Sequence, residues 1–204
     1  MSTNSDNRTA DFADYSRRLQ AVLAAENWDS TAALADAMFE AWVNRKRVYL
    51  CGNGGSAGNA IHLANDFLYG VAKDLGPGMR IQALPANGAV MTCLANDISY
   101  DEVFAAQLEV LGEEGDVLVV LSGSGNSPNV VRALEVGNKL GLRTFAILGY
   151  SGGRCKELAE TPLHFAVDDM QISEDLQLVV GHMLMQTLYK RIKAHVESPA
   201  AASS

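Results

Sequence analysis

Short runs of β-branched and aliphatic residues recur along the chain, each followed by a longer stretch with apolar residues at helical spacing. The runs Arg47 to Cys51, Arg80 to Leu84, Asp116 to Ser122, Arg143 to Leu148 and His164 to Val167 predict strands. Helices are predicted over 56–70, 88–96, 100–112, 127–140, 153–159 and 173–195. Two more precede the first strand, over 9–26 and 30–45. Their apolar positions are Phe12, Tyr15, Leu19, Val22 and Leu23, then Leu34, Met38 and Trp42, and Asp29 or Ser30 reads as the second helix's N-cap. Val117-Leu-Val-Val-Leu121 is apolar without a break, the pattern of a central parallel strand covered on both faces. Strand and helix in alternation predict an α/β fold, a doubly wound parallel sheet flanked by helices, with ligands near the carboxyl ends of the strands. No repeat, linker or low-complexity block interrupts the pattern, so one domain is expected over 9–196. The polar residues 1–8 and the small-residue tail 197–204 are expected to be disordered.

Composition narrows the function classes. At 204 residues, the chain can bury a core without disulfide or metal staples. No apolar run approaches the roughly 18 residues of a membrane span, and the polar start lacks the apolar core of a signal peptide, so a cytoplasmic protein is expected. The three cysteines, Cys51, Cys93 and Cys155, are odd in number and without Cys-x-x-Cys spacing. They read as reduced thiols buried in or beside strands. A net charge of −8 argues against a nucleic-acid partner, which needs a basic face. It leaves room for a small phosphate, which local N–H groups bind inside an acidic protein.

Two segments carry the chemistry. Cys51-Gly-Asn-Gly-Gly-Ser56 joins a predicted strand to a predicted helix. There, bare backbone N–H groups and the positive end of the helix dipole favour an anion. Ser122-Gly-Ser-Gly-Asn-Ser127-Pro128 follows the most apolar strand and opens another helix, with hydroxyls to donate and glycines that let the backbone come close. Either segment alone could be an ordinary β–α turn; two in one sheet point to a phosphorylated ligand. Neither is a Walker A loop, and Ala57 takes the place of the third glycine of Gly-x-Gly-x-x-Gly, so nucleotide binding is not supported.

His62 and Asp66 lie four residues apart on one helix face. On the long last helix, His182 follows Ser173, Glu174 and Asp175; Ser173 reads as N-cap, with the two acids complementing the dipole in the first turn. His62, Asp66, His182 and one of Glu174 and Asp175 form a set of N and O donors suited to a zinc-type metal. Spacing alone does not say that the two helices meet. Asn96-Asp97 is either a helix stop or a contact to a sugar hydroxyl, and His164 and His195 have no assigned role.

Cys51-Gly-Asn-Gly-Gly-Ser56, His62, Asn96-Asp97, the Ser122–Ser127 loop and His182, in that order, resemble the sugar isomerase (SIS) fold and, within it, the phosphoheptose isomerases, over residues 10–195. The resemblance implies isomerisation of sedoheptulose 7-phosphate to D-glycero-D-manno-heptose 7-phosphate through an enediol, one Zn2+ per subunit, and a homotetramer with sites between subunits. It implies substrate contacts from Asn53, Gly54, Gly55, Asn96, Asp97 and Glu174, and a phosphate seat of Ser122, Gly123, Ser124 and Ser127. His62, Asp66, Glu174 and His182 would hold zinc, with Asp66 also touching substrate and shuttling the proton, and His182 as its partner acid. Two positions depart from the family pattern: Asp66 stands where a glutamate is usual, and Glu174 where a glutamine is. Asp is shorter by one C–C bond, about 1.5 Å, and the carboxylate at 174 adds a negative charge. Two rival readings are a non-catalytic SIS-fold tetramer that binds the bacterial replication initiator, which would not need the metal set, and a sugar-phosphate sensor, which binds without turnover.

Overall fold

The strands β1 (Arg47–Gly52), β2 (Arg80–Ala83), β3 (Val117–Ser122), β4 (Arg143–Leu148) and β5 (Thr161–His164) pair in parallel, in the order β2-β1-β3-β4-β5, in a computed structural model that describes residues 5–198. The helices are α1 (Ser5–Ala25), α2 (Asp29–Val43), α3 (Gly55–Leu68), α4 (Gly88–Asp97), α5 (Ala105–Leu111), α6 (Pro128–Lys139), α7 (Gly153–Leu158) and α8 (Met170–Val196).

The unbroken apolar run of β3 has a simple cause. Successive side chains point to opposite faces, and both faces are covered. Val117, Val119 and Leu121 enter one core with residues of α2, α3 and α8. Leu118 and Val120 enter a second core with residues of α5, α6 and α7, against which Met91 and Leu94 of α4 pack. The sheet therefore separates two cores, and the expected α/β doubly wound architecture is present. From β1 the chain steps outward to β2, then returns past β1 to β3. That reversal opens a crevice between the carboxyl ends of β1 and β3, where ligands bind in such sheets. Both glycine- and serine-rich segments lie there.

The remaining differences from the sequence reading are local. The fifth strand is Thr161–His164 rather than 164–167. Pro162 obscures it in the sequence, yet β5 is an edge strand, where proline is tolerated. The last helix begins at Met170, capped by Asp169, whose Oδ1 accepts the Ile172 N–H at 3.1 Å. Ser173 is thus no N-cap; it is buried inside the helix, its hydroxyl donating to the Asp169 carbonyl at 2.7 Å. Asp29 and Ser30 both lie within α2, which Trp28 precedes in a left-handed conformation (φ 64°). The helix expected over 100–112 divides into a 3-10 turn, Tyr100–Glu102, and α5. Cys51 and Cys155 are buried as expected, but Cys93 is exposed on α4. α1 starts at Ser5, inside the segment expected to be disordered, and α8 ends at Val196; residues 1–4 and 199–204 lie outside the described residues.

Candidate active site

Gly54 (φ 55°) turns the chain from β1 into α3. A Cβ on Gly52, the last residue of β1, would lie 2.7 Å from the Leu121 carbonyl oxygen of β3 and 2.8 Å from Ser56 Cβ, so only glycine fits where the two strands lead into their β–α loops. Between them is a cavity of about 270 Å³ lined by Asn53–Ser56, Leu121–Ser124 and Ser127, and closed by Met170 and Glu174 of α8. Ser122, Gly123, Ser124 and Ser127, the expected phosphate seat, thus line one cavity together with Gly54 and Gly55, which are expected to contact substrate. Ser122 is mostly buried and its Oγ accepts the Gly125 N–H at 3.0 Å, stapling its own loop. Ser127 precedes α6 without capping it, with Pro128 at the first helical position. Asn53 is anchored: its amide exchanges two 2.8 Å hydrogen bonds with that of Asn129, and its Oδ1 also accepts the Tyr100 hydroxyl at 3.0 Å. Asn96 and Asp97 do not line the cavity. They pair with each other on the exposed end of α4, where the Asn96 amide and the Cys93 thiol hold the Asp97 carboxyl below its usual range.

The second feature comes from α3 packing on α8. Gly181 makes the contact close: a Cβ there would lie 2.3 Å from Leu63 Cδ2. His62 and His182, the neighbours of these two residues, meet Nε2 to Nε2 at 3.1 Å, and Asp66 Oδ2 lies 3.5 Å and 3.6 Å from the two imidazoles. Four donors held tetrahedrally at a zinc-like distance of about 2.1 Å are separated from one another by about 3.4 Å, so these three fit a zinc-type ion. The two imidazoles are about half exposed, which leaves the fourth direction open. These are the His/Cys/Asp/Glu donors within 4.8 Å of one another among the described residues, and Glu174 is not with them. Its carboxylate instead lies over Gly55, where a Cβ would be 2.4 Å from both oxygens. Asp175 faces away, accepting the Tyr15 hydroxyl of α1 at 2.6 Å. Burial, with that carboxylate beside it, pushes the Tyr15 phenol up to about 12.

Several residues that matter here carry no sequence signal. Gln177, fully buried, donates to Ser56 Oγ at 2.9 Å and accepts from Asn59 Nδ2 at 3.0 Å, tying the start of α3 to α8. His164 bridges Lys156 and the Tyr150 carbonyl. His195 packs edge-on against Phe39 and Trp42.

The SIS domain family matches residues 11–149. The chain is 38% identical over 176 residues to the phosphoheptose isomerase of Chlorobaculum parvum, a match covering 84% of this chain and 83% of that protein. The solved phosphoheptose isomerase of Francisella tularensis superposes with a TM-score of 0.85 at 26% identity, over 92% of this chain and 100% of that one. That of Neisseria gonorrhoeae gives 0.81, also at 26% identity, over 91% and 98%.

Proposed function

Since the chain belongs to the SIS-domain family and, within it, to the phosphoheptose isomerases, we propose that it interconverts sedoheptulose 7-phosphate and D-glycero-D-manno-heptose 7-phosphate. The observation that carries this reading is the distance between the two halves of the site. His62 follows Gly55 by seven residues of α3, about 10 Å of helix. An acyclic seven-carbon chain of C–C bonds about 1.5 Å long, ending in a phosphate, spans a similar distance. Phosphate on the Ser122–Ser127 loop thus brings C1 and C2 toward His62, Asp66 and His182.

In this reading, Ser122, Ser124 and Ser127, with the N–H groups of Gly54, Gly55 and Gly123, hold the phosphate. Asn53 and Glu174 contact sugar hydroxyls. Asn96 and Asp97, away from this subunit's cavity, are assigned to a neighbouring subunit's substrate. Asp66 accepts a proton from C1 of the ketose; the C–H pair becomes the C1–C2 double bond, and the carbonyl pair moves onto O2. Asp66 then returns the proton to C2, while His182 moves the hydroxyl proton from O1 to O2, which leaves the aldose. His62, Asp66 and His182 would hold one zinc per subunit, which when bound supplies Lewis acidity to the carbonyl.

We assign a homotetramer and a cytoplasmic location on family grounds. In support of the first, α1 leaves Phe12 76% exposed. No helix among the described residues is long and apolar enough to cross a membrane. The test is conversion of sedoheptulose 7-phosphate followed by NMR, with zinc added and with metal stripped. Zinc-dependent formation of the aldose, lost in His182→Ala together with bound zinc, is the expected result. Tight binding of the sugar phosphate without conversion would overturn the reading in favour of a sensor.

A further inference from the structure

The phosphate seat is braced from behind by a second loop, residues 149–155, between β4 and the first turn of α7. The Gly149 N–H donates to the Gly123 carbonyl at 3.0 Å, and the Cys155 N–H to the Gly125 carbonyl at 2.9 Å. The Arg154 N–H donates to Asn126 Oδ1 at 3.0 Å, and the Asn126 amide donates in turn to the Ser124 carbonyl at 3.2 Å. These contacts are close enough to require glycine: a Cβ on Gly125 would lie 2.0 Å from the Gly152 carbonyl oxygen, and one on Gly153 2.6 Å from the Asn126 amide. Because a trans peptide is planar, a carbonyl pulled toward the brace turns its partner N–H the opposite way. Holding the Gly123 carbonyl therefore turns the Ser124 N–H away from the brace, toward the cavity that Ser124 lines. Ser124 Oγ accepts the Asn126 N–H at 3.4 Å, which leaves its hydroxyl proton to donate.

The brace has its own anchor. Tyr150 has φ 45°, a left-handed conformation costly for a non-glycine residue. It is held there from both sides: its N–H donates to the Val167 carbonyl at 3.0 Å, and its carbonyl accepts His164 Nε2 at 2.9 Å. Lys156 Nζ lies 3.0 Å from His164 Nδ1. A lysine ammonium can only donate, so Nδ1 is the acceptor and Nε2 carries the proton given to Tyr150.

We propose that His164, set by Lys156, is a positioning residue for phosphate recognition: by fixing Tyr150 it keeps loop 149–155 in the shape that aims the Ser124 N–H and hydroxyl at the phosphate. The proposal rests on the phosphate assignment made above. Neither residue touches substrate, so the effect falls on phosphate affinity and spares both the metal donors and the proton transfer.

The test compares His164→Leu, His164→Gln and Lys156→Met on zinc-loaded protein. KM and kcat are measured for sedoheptulose 7-phosphate, alongside inorganic phosphate affinity by calorimetry and zinc content. His164→Leu is expected to raise KM and the phosphate Kd roughly three- to tenfold, as for one lost hydrogen bond, with kcat and zinc content unchanged. Glutamine places an N–H donor near the position of Nε2 and is expected to restore both values. Lys156→Met, an exposed change that spares the fold, is expected to give a smaller rise in the same two values. Unchanged KM and phosphate affinity, a fall in kcat instead, or equal losses in the leucine and glutamine variants would overturn the proposal. If the wild type does not isomerise the sugar, the function assigned above fails, while the phosphate titrations still decide the brace.

Discussion

Gly181→Ala tests whether the α3–α8 contact sets the geometry of the histidine pair. The new Cβ would lie 2.3 Å from Leu63 Cδ2 and 2.8 Å from Cδ1, against an ordinary carbon–carbon contact of about 3.8 Å. Something must therefore give by about 1.5 Å. Leu63 is 2% exposed and packed in the core of α2, α3 and α8, so it has no free space to turn into. Overpacking of this kind costs about 1–3 kcal/mol, and replacing a helix-interior glycine with alanine returns about 1 kcal/mol. The net loss of stability is then only about 0–2 kcal/mol, and the protein should fold. The larger effect is expected beside it. Separating the helices by about 1 Å lengthens the 3.1 Å His62–His182 and 3.6 Å Asp66–His182 spacings, which now bracket the roughly 3.4 Å that a zinc-type ion needs, to about 4 Å or more. Damage to the shell around a metal site typically costs about 10- to 100-fold in affinity, and that range is expected here. The assay is zinc competition against a chromophoric chelator on metal-stripped protein, with thermal unfolding in parallel. Adding Leu63→Ala to the variant makes room for the methyl group and should recover much of the zinc affinity. Wild-type zinc affinity in folded Gly181→Ala, or no recovery in the double variant, would refute the reasoning.

Ser56→Ala leaves the buried Gln177 amide without its acceptor and should cost about 1–3 kcal/mol in denaturant unfolding. Combined with Gln177→Leu, the losses should fall short of their sum by at least about 0.5 kcal/mol; strict additivity would show that the two residues do not depend on each other. Asp169→Asn keeps the cap oxygen for Ile172 but loses the ion pair with Arg18. Arg18 and the Ile172 N–H hold the Asp169 carboxyl below its usual range, so its contribution is complete above that range and lost as the pH falls. The Tm gap between Asp169→Asn and wild type should therefore be widest near neutrality and close below about pH 4, whereas a gap that widens in acid would reverse the argument. Glu174→Gln removes a negative charge from the rim of the phosphate seat, worth about 0.7 kcal/mol per unit charge at roughly 6 Å in water-like surroundings. Inorganic phosphate should then bind about threefold tighter by calorimetry, and unchanged affinity would place the phosphate away from Glu174.

Unbroken apolar runs and helical spacing are local properties, and they carried the fold: every strand but the fifth stands where the apolar runs predict. Thr161–His164 was obscured because a proline in a short edge strand looks like a break. The start of α8 was misplaced because Asp169 and Ser173 are both good caps in isolation. The choice between them depends on burying Ile172 and Leu176 in the same core as α3. At the site, the glycine and serine loops were legible because each is a contiguous motif. The histidine–aspartate–histidine group was legible only as spacing on two separate helices. What joins them is Gly181 against Leu63, a contact between residues more than a hundred positions apart, each unremarkable by itself. Gln177, Asn129 and His164 were missed for the same reason: their partners, Ser56, Asn53 and Tyr150, are neighbours only after folding.

The three thiols differ in a way that supplies a spectroscopic handle. Burial pushes Cys155 up to about 12 and Cys51 higher still, so neither forms thiolate at working pH or meets a reagent in solution. Cys93 is exposed and raised instead by its bond to Asp97, at 3.4 Å. A maleimide dye applied to the folded protein at mildly alkaline pH should therefore attach once, at Cys93, on the turn of α4 that carries Asn96 and Asp97. The unmodified chain thus accepts a fluorophore on the element assigned to a neighbour's substrate, where emission can report ligand binding without any engineered cysteine.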